Sequence, residues 1–164
     1  MVDVEILERF PIFSGLDQRF IQSVAQACSA RTYDSQERIF TEGDKAEKLY
    51  MLQSGRVSIE RKLSQSWLQA EGVSDVIIST EKEGSSFAWS ALVEPGILTA
   101  SARCREKSEV IEINGKDLMD ILDKNPDVGY LFMKRLASII ALRLSETAEK
   151  LFQQTAEVET YKAT

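Results

Sequence analysis

From Ala30 onward, short apolar runs rich in β-branched and aromatic residues alternate with Gly, Asp, Ser and Asn at turn-like intervals, a pattern that predicts strands joined by tight turns. The stretch from Arg38 to Lys62 is the clearest part. Glu42-Gly43-Asp44 and Gln53-Ser54-Gly55 are turn signals that divide three strand candidates. After Gly55, Val57 and Ile59 alternate with Arg56, Ser58 and Glu60, the period of a half-solvated strand. Further strands are expected at residues 75–79, 99–105 and 109–113. On either side of this β-rich middle the period becomes helical. Residues 3–28 carry two helical patterns broken at Phe10-Pro11, and the second places Phe20, Ile21, Val24, Ala25 and Cys28 on one face behind Asp17, a candidate cap. Asn114 is placed to cap a helix through LMDIL (118–122), which stops at Asn125-Pro126. The chain from Pro126 to about residue 161 then reads as one long helix interrupted only by Gly129.

Two apolar stripes run along that long helix. Phe132, Leu136 and Ile139 form one, while Ile140, Leu144, Leu151 and Val158 follow another at near-heptad spacing. Either the first covers the β-core and the second meets a twin helix in a homodimer, or both belong to one wide core face. Thr147 and Gln154 interrupt the second stripe with polar side chains. Residues 62–75 form a long connection in which Trp67 and Leu68 stand among polar residues, as a contact for a protein partner or as a hairpin folded on itself.

Composition narrows the function classes. A chain of 164 residues with 28% charged and 43% hydrophobic residues is expected to form a single domain over 1–164, with a helical lead-in (1–28), a β-body (29–114) and C-terminal helices (115–161). The net charge of −6, with no basic patch, disfavours nucleic acid and anionic membrane as partners. The amino terminus MVDVEILERF lacks the pattern of a signal peptide and no apolar run is long enough to span a bilayer, so a cytoplasmic location is expected. Cys28 and Cys104 lack metal or redox spacing and read as buried, reduced thiols. Histidine is absent, which removes the commonest general base and zinc ligand. With no phosphate loop, nucleophile elbow or metal-ligand cluster either, no enzyme, cofactor or metal site is expected.

The order of a helical lead-in, a Gly-punctuated β-body, and a short then a long helix, with the segments LERFPIFSGLDQRFIQSVAQAC, GDKAEKLYMLQSGRVSIE and Gly84-Ser85-Ser86-Phe87, resembles the cyclic nucleotide-binding domain family. The resemblance implies a β-roll, or double-stranded jelly-roll-like sandwich, with N-terminal helices and a long C-terminal helix. It places the ligand segment at residues 84–102. Gly43, Gly55 and Gly84 argue for the turns of such a fold, not for a ligand.

In the family pattern, Phe-Gly-Glu precedes a small-residue helix and then an Arg with a small or hydroxyl residue; the Glu holds the ribose and the Arg the phosphate. Here those places hold Phe87-Ala88-Trp89 and Leu98-Thr99. A buried phosphate needs charge-assisted hydrogen bonds worth about 1.5–3 kcal/mol each, so with Trp89 for the acid and Leu98 for the arginine, cyclic AMP or cyclic GMP bound in the usual way is not expected. Arg103, five residues past Leu98, falls on the opposite face of a strand. The resemblance leaves Phe87, Ala88, Trp89, Ser90, Ala91, Leu98, Thr99 and Ser101 as the wall of a candidate pocket for an unidentified small-molecule effector, neutral or weakly acidic. Trp89 either plugs that pocket or stacks on a flat ligand. The expected function is a free-standing regulatory module in which residues 87–101 sense and 126–158 respond, with no helix-turn-helix after the long helix. The alternative is a ligand-free interaction or dimerisation module with a closed pocket.

Overall fold

The structure, a computed structural model, describes residues 2–62 and 75–162, with side chains as far as Gln153. Trp67 and Leu68 lie outside the described residues. The lead-in forms α1 (Val4–Glu8) and α2 (Gln18–Ala27). The Asp17 carboxylate accepts from the amides of Arg19 and Phe20, satisfying two of the donors that a helix start leaves free. Phe20, Ile21, Val24 and Ala25 are buried on one face, as their spacing predicts.

Eight strands follow among the described residues: β1 (Ser29–Tyr33), β2 (Arg38–Phe40), β3 (Lys48–Ser54), β4 (Val57–Lys62), β5 (Asp75–Glu81), β6 (Ser86–Phe87), β7 (Ser101–Cys104) and β8 (Ser108–Asn114). They make two antiparallel four-stranded sheets, β1-β8-β3-β6 and β2-β7-β4-β5. The last strand before the C-terminal helices spans the predicted 109–113 with one residue more at each end. By contrast β7 starts at Ser101 instead of at residue 99, because the backbone of Leu98 is committed elsewhere: its amide donates to the Asp44 carbonyl, and its own carbonyl accepts from Gly43.

The sandwich has two buried layers, and β3 shows why. Leu49 and Met51 point from one side of the first sheet into a cluster with Ile111, Ile113 and the helices. Tyr50 and Leu52, on the other side, pack against the second sheet with Val57, Phe87, Ala102 and Val110. Alternation therefore buries both faces of one strand, so its apolar run is nearly continuous. Cys28 and Cys104 are buried free thiols; burial raises both, Cys28 to about 12.

α3 (Gly115–Asp123) starts on Asn114, whose side chain accepts from the amides of Lys116 and Asp117. α4 (Pro126–Lys162) runs through Gly129 without interruption. The Gly129 amide donates to Asn125 O, and a Cβ there would come within 3.0 Å of the Leu122 carbonyl, so glycine lets α3 and α4 close on each other. Phe132 and Leu136 are buried, and Ile139 and Ile140 pack against the same cluster. The two stripes part there: Leu144 is 69% exposed and Leu151 59%, so one wide core face extends only as far as Ile140. The Val158 side chain lies outside the described residues.

Candidate effector site

The ligand segment bridges the two buried layers. Phe87 stacks on Tyr50 with ring centres 5.5 Å apart and lies 6.1 Å from Phe40, inside the inter-sheet layer. At Ala88 the chain turns through a left-handed conformation, φ 62° and ψ 37°. It then enters a 3-10 turn, Trp89–Leu92, whose Trp89 and Leu92 belong to the helical layer. Glycine adopts that geometry freely and alanine at a cost of about 1–2 kcal/mol. Ala88 thus departs from the family pattern in residue type and keeps a backbone that suits glycine. The 3-10 turn also rests on the start of α3, where a Cβ on Gly115 would lie 2.4 Å from the Ala91 carbonyl oxygen.

Trp89 meets a side chain that sequence reasoning missed. The Arg143 guanidinium, reaching in from α4, sits 4.8 Å from the centre of the Trp89 ring. Its Nη1 donates to Glu81 Oε1 at 2.6 Å, and its Nη2 donates to Glu81 Oε2 and, at 3.1 Å, to the Ser86 carbonyl. Glu81, at the end of β5, is only 3% exposed and also accepts from Ser79 Oγ. One arginine therefore joins α4 to β5, to β6 and to the tryptophan, using its fork for the carboxylate and its face for the indole. The signal for Arg143 was present in the helical period, since position 143 continues the face of Phe132, Leu136 and Ile139 and so set a cation on a core stripe. Glu81 lies 62 residues away, and nothing local marked it.

Leu98 is buried and points elsewhere. It lines a cleft of about 270 Å³ with Arg31, Tyr33, Phe40, Lys48 and Tyr50, and Trp89 is not among the residues lining that cleft. Buried Glu112 holds two of the lining side chains, accepting from the Tyr33 hydroxyl and, at 2.6 Å, from Lys48 Nζ. Burial and then the Glu112 carboxylate raise both phenols, Tyr50 to about 12; Tyr33 is raised by its hydrogen bond to Glu112 as well. The remaining candidate residues are dispersed. Ser90 and Ala91 are half-buried and Thr99 is exposed. Ser101 is buried, with its hydroxyl accepting from the Glu42 amide at 2.9 Å. Arg103 donates to Glu60 at 3.2 Å and to the Gln36 carbonyl at 3.3 Å, so its charge is spent between strands. Burial pushes the Glu60 carboxyl up, but hydrogen bonds from Ser58 and Arg103, with the charges of Arg103 and Arg105, outweigh it and hold the group below its ordinary value.

Among the described residues no helix is long and apolar enough to cross a membrane, and no three His, Cys, Asp or Glu side chains stand together as a metal site. Residues 30–125 match the family model described as cyclic nucleotide-binding domain. The cAMP-activated global transcriptional regulator CRP of Salmonella typhimurium is 30% identical over 125 residues, covering 76% of this chain and 54% of that protein. The chain thus spans about half the length of the curated relatives it matches. A putative cyclic nucleotide-binding protein from Geobacter metallireducens superposes with a TM-score of 0.73 at 26% identity, over 88% of this chain and 99% of that one. The catabolite activator protein of Thermus thermophilus gives 0.67 at 25% identity, over 88% of this chain and 63% of that one.

Proposed function

The chain belongs to the cyclic nucleotide-binding domain family, and from that premise we propose that it is a regulatory sensor domain, not an enzyme, in which α4 reads the state of the ligand segment through Arg143. The observation that carries this reading is the joint contact of Arg143 with Trp89, Glu81 and the Ser86 carbonyl. A ligand shifts an equilibrium only by binding its two states unequally, and anything that moves Trp89 or residue 86 changes what the guanidinium can hold. The effector is a neutral or weakly acidic small molecule seated against residues 87–91, since Trp89 and Leu98 replace the acid and the arginine of the family pattern. The domain works in the cytoplasm, with no nucleic acid or membrane as partner.

The response passes to a second copy of the chain along Leu144 and Leu151, whose exposure and near-heptad spacing from Ile140 suit a paired helix. The alternative, a dimerisation module that takes no ligand, is favoured by the same exposed leucines together with the filling of the inter-sheet layer by Phe40, Tyr50 and Phe87.

Calorimetric titration with cyclic AMP and cyclic GMP tests the reading. The wild-type chain is expected to give no micromolar binding, and Trp89→Glu combined with Leu98→Arg to gain it. Micromolar binding by the wild type overturns the interpretation of the two substitutions. A broad metabolite screen by thermal shift separates the sensor, which finds a stabilising compound, from the ligand-free module, which finds none.

A further inference from the structure

A second arginine of α4 stands in an unsatisfied environment away from the effector segment. Arg135 falls between Phe132 and Leu136 on the face that packs against the body, and its Nη1 is buried without a hydrogen-bond partner among the described residues. The Gly15 turn lies over it, at a distance that would leave 3.8 Å between a Cβ on Gly15 and Arg135 Nη2. Among the described residues Arg135 takes part in no ion pair. It lines an open groove of about 510 Å³ between the lead-in and the middle of α4, together with Glu8, Arg9, Pro11, Ser14 and Ile139. Ser138, the remaining lining residue, already donates its hydroxyl to the Lys134 carbonyl.

A guanidinium presents five N–H donors in a planar fork and does not lose its proton, so Arg135, which lines the groove and has one nitrogen closed off without an acceptor among the described residues, favours an oxygen acceptor beside its remaining donors. The fork matches two oxygens of one phosphate or carboxylate. Arg9, which is exposed, adds a second positive charge to the lining, and Glu8 is the one acidic residue among the lining residues. The groove is therefore locally positive in a chain whose net charge is −6.

We propose that this groove binds a small oxyanion, a phosphate or carboxylate group carried by a small molecule, with Arg135 beneath it, Arg9 at the rim and the Ser14 hydroxyl as a further donor. The site is separate from the effector segment, because none of its lining residues lies within 84–102. An anion held there ties the turn after α1 to α4 about 12 Å before Arg143, at 1.5 Å rise per residue, and so adds a second input to the same helix.

Calorimetric titration of the full chain with pyrophosphate and, separately, with citrate tests this. Saturable binding of at least one is expected, weakened about tenfold or more by Arg135→Met and about threefold by Arg9→Ala, and tightened severalfold by Glu8→Gln, which removes the competing acid. Arg9 is exposed, so its variant keeps the test meaningful if Arg135→Met fails to fold. Binding of pyrophosphate alone assigns a phosphate, and binding of citrate alone a carboxylate. The proposal is overturned if neither binds, if Arg9→Ala and a folded Arg135→Met bind as the wild type does, or if Glu8→Gln unfolds the chain and so identifies Glu8 as the acceptor for Arg135. Binding lost in Trp89→Leu and kept in Arg135→Met also overturns it, since the anion would then occupy the effector segment.

Discussion

Arg135 and Arg143 are the same side chain about two turns apart on the same helix, and the protein treats them in opposite ways. Around Arg143 a carboxylate on β5 and a carbonyl on β6 take up both terminal nitrogens, and an indole covers one face of the guanidinium. Around Arg135 a turn and a groove leave one nitrogen without an acceptor among the described residues. The difference lies in what distant strands deliver, since both positions face the body. Where a strand brings an acid, the cation fixes the helix; where none arrives, the cation is left facing a groove. Replacing a buried ion pair with apolar groups is often neutral for stability, so the contribution of Glu81 and Arg143 is chiefly to where α4 sits.

The sharpest way to break this contrast is Glu81→Ala, which leaves Arg143 without its carboxylate. It is expected to destabilise the chain by about 3 kcal/mol in urea unfolding, whereas a change of less than about 1 kcal/mol would put the two arginines on the same footing. Trp89→Leu is next, with an expected loss of about 1–2 kcal/mol from the cation–π contact and the packing beneath it, read from the same unfolding curves. Ala88→Gly is expected to act in the other direction. Relief of a left-handed alanine, about 1–2 kcal/mol, outweighs the added freedom of glycine in the unfolded chain, about 0.4–1 kcal/mol, leaving a gain of about 0.5 kcal/mol. The smallest effect is expected for Arg135→Met in buffer free of phosphate and carboxylates: a stability within about 0.5 kcal/mol of wild type, on the stabilising side, because an unsatisfied polar group is replaced by an apolar one.

Much of the fold was legible because its signals are local. Asp17 and Asn114 cap the helices they precede, and Phe20, Ile21, Val24 and Ala25 keep the face their spacing gives them. Gly43, Gly55 and Gly84 all have positive φ, as turn residues should. The site was only half legible. The resemblance picks out residues 84–102, but Leu98 and Trp89 line different surroundings, because the segment crosses from the inter-sheet layer to the helical layer between Ala88 and Trp89. Arg143 could have been singled out as a cation on an apolar face. Its partner could not, since a contact across 62 residues is a property of the folded sandwich. The second stripe divides in the monomer: Ile140 packs against the body, while Leu144 and Leu151 turn to solvent on the part of the helix that continues past it.

Every described side chain from Leu144 to Gln153 is exposed, while the helix continues to Lys162. Arg143 is thus a fulcrum near the edge of the body, with an overhang of about 28 Å beyond it at 1.5 Å per residue. By lever arithmetic a tilt of about 10° at that point carries the far end through about 5 Å, so a displacement the size of one side chain at Trp89 becomes, at the tip, a distance that another molecule can register.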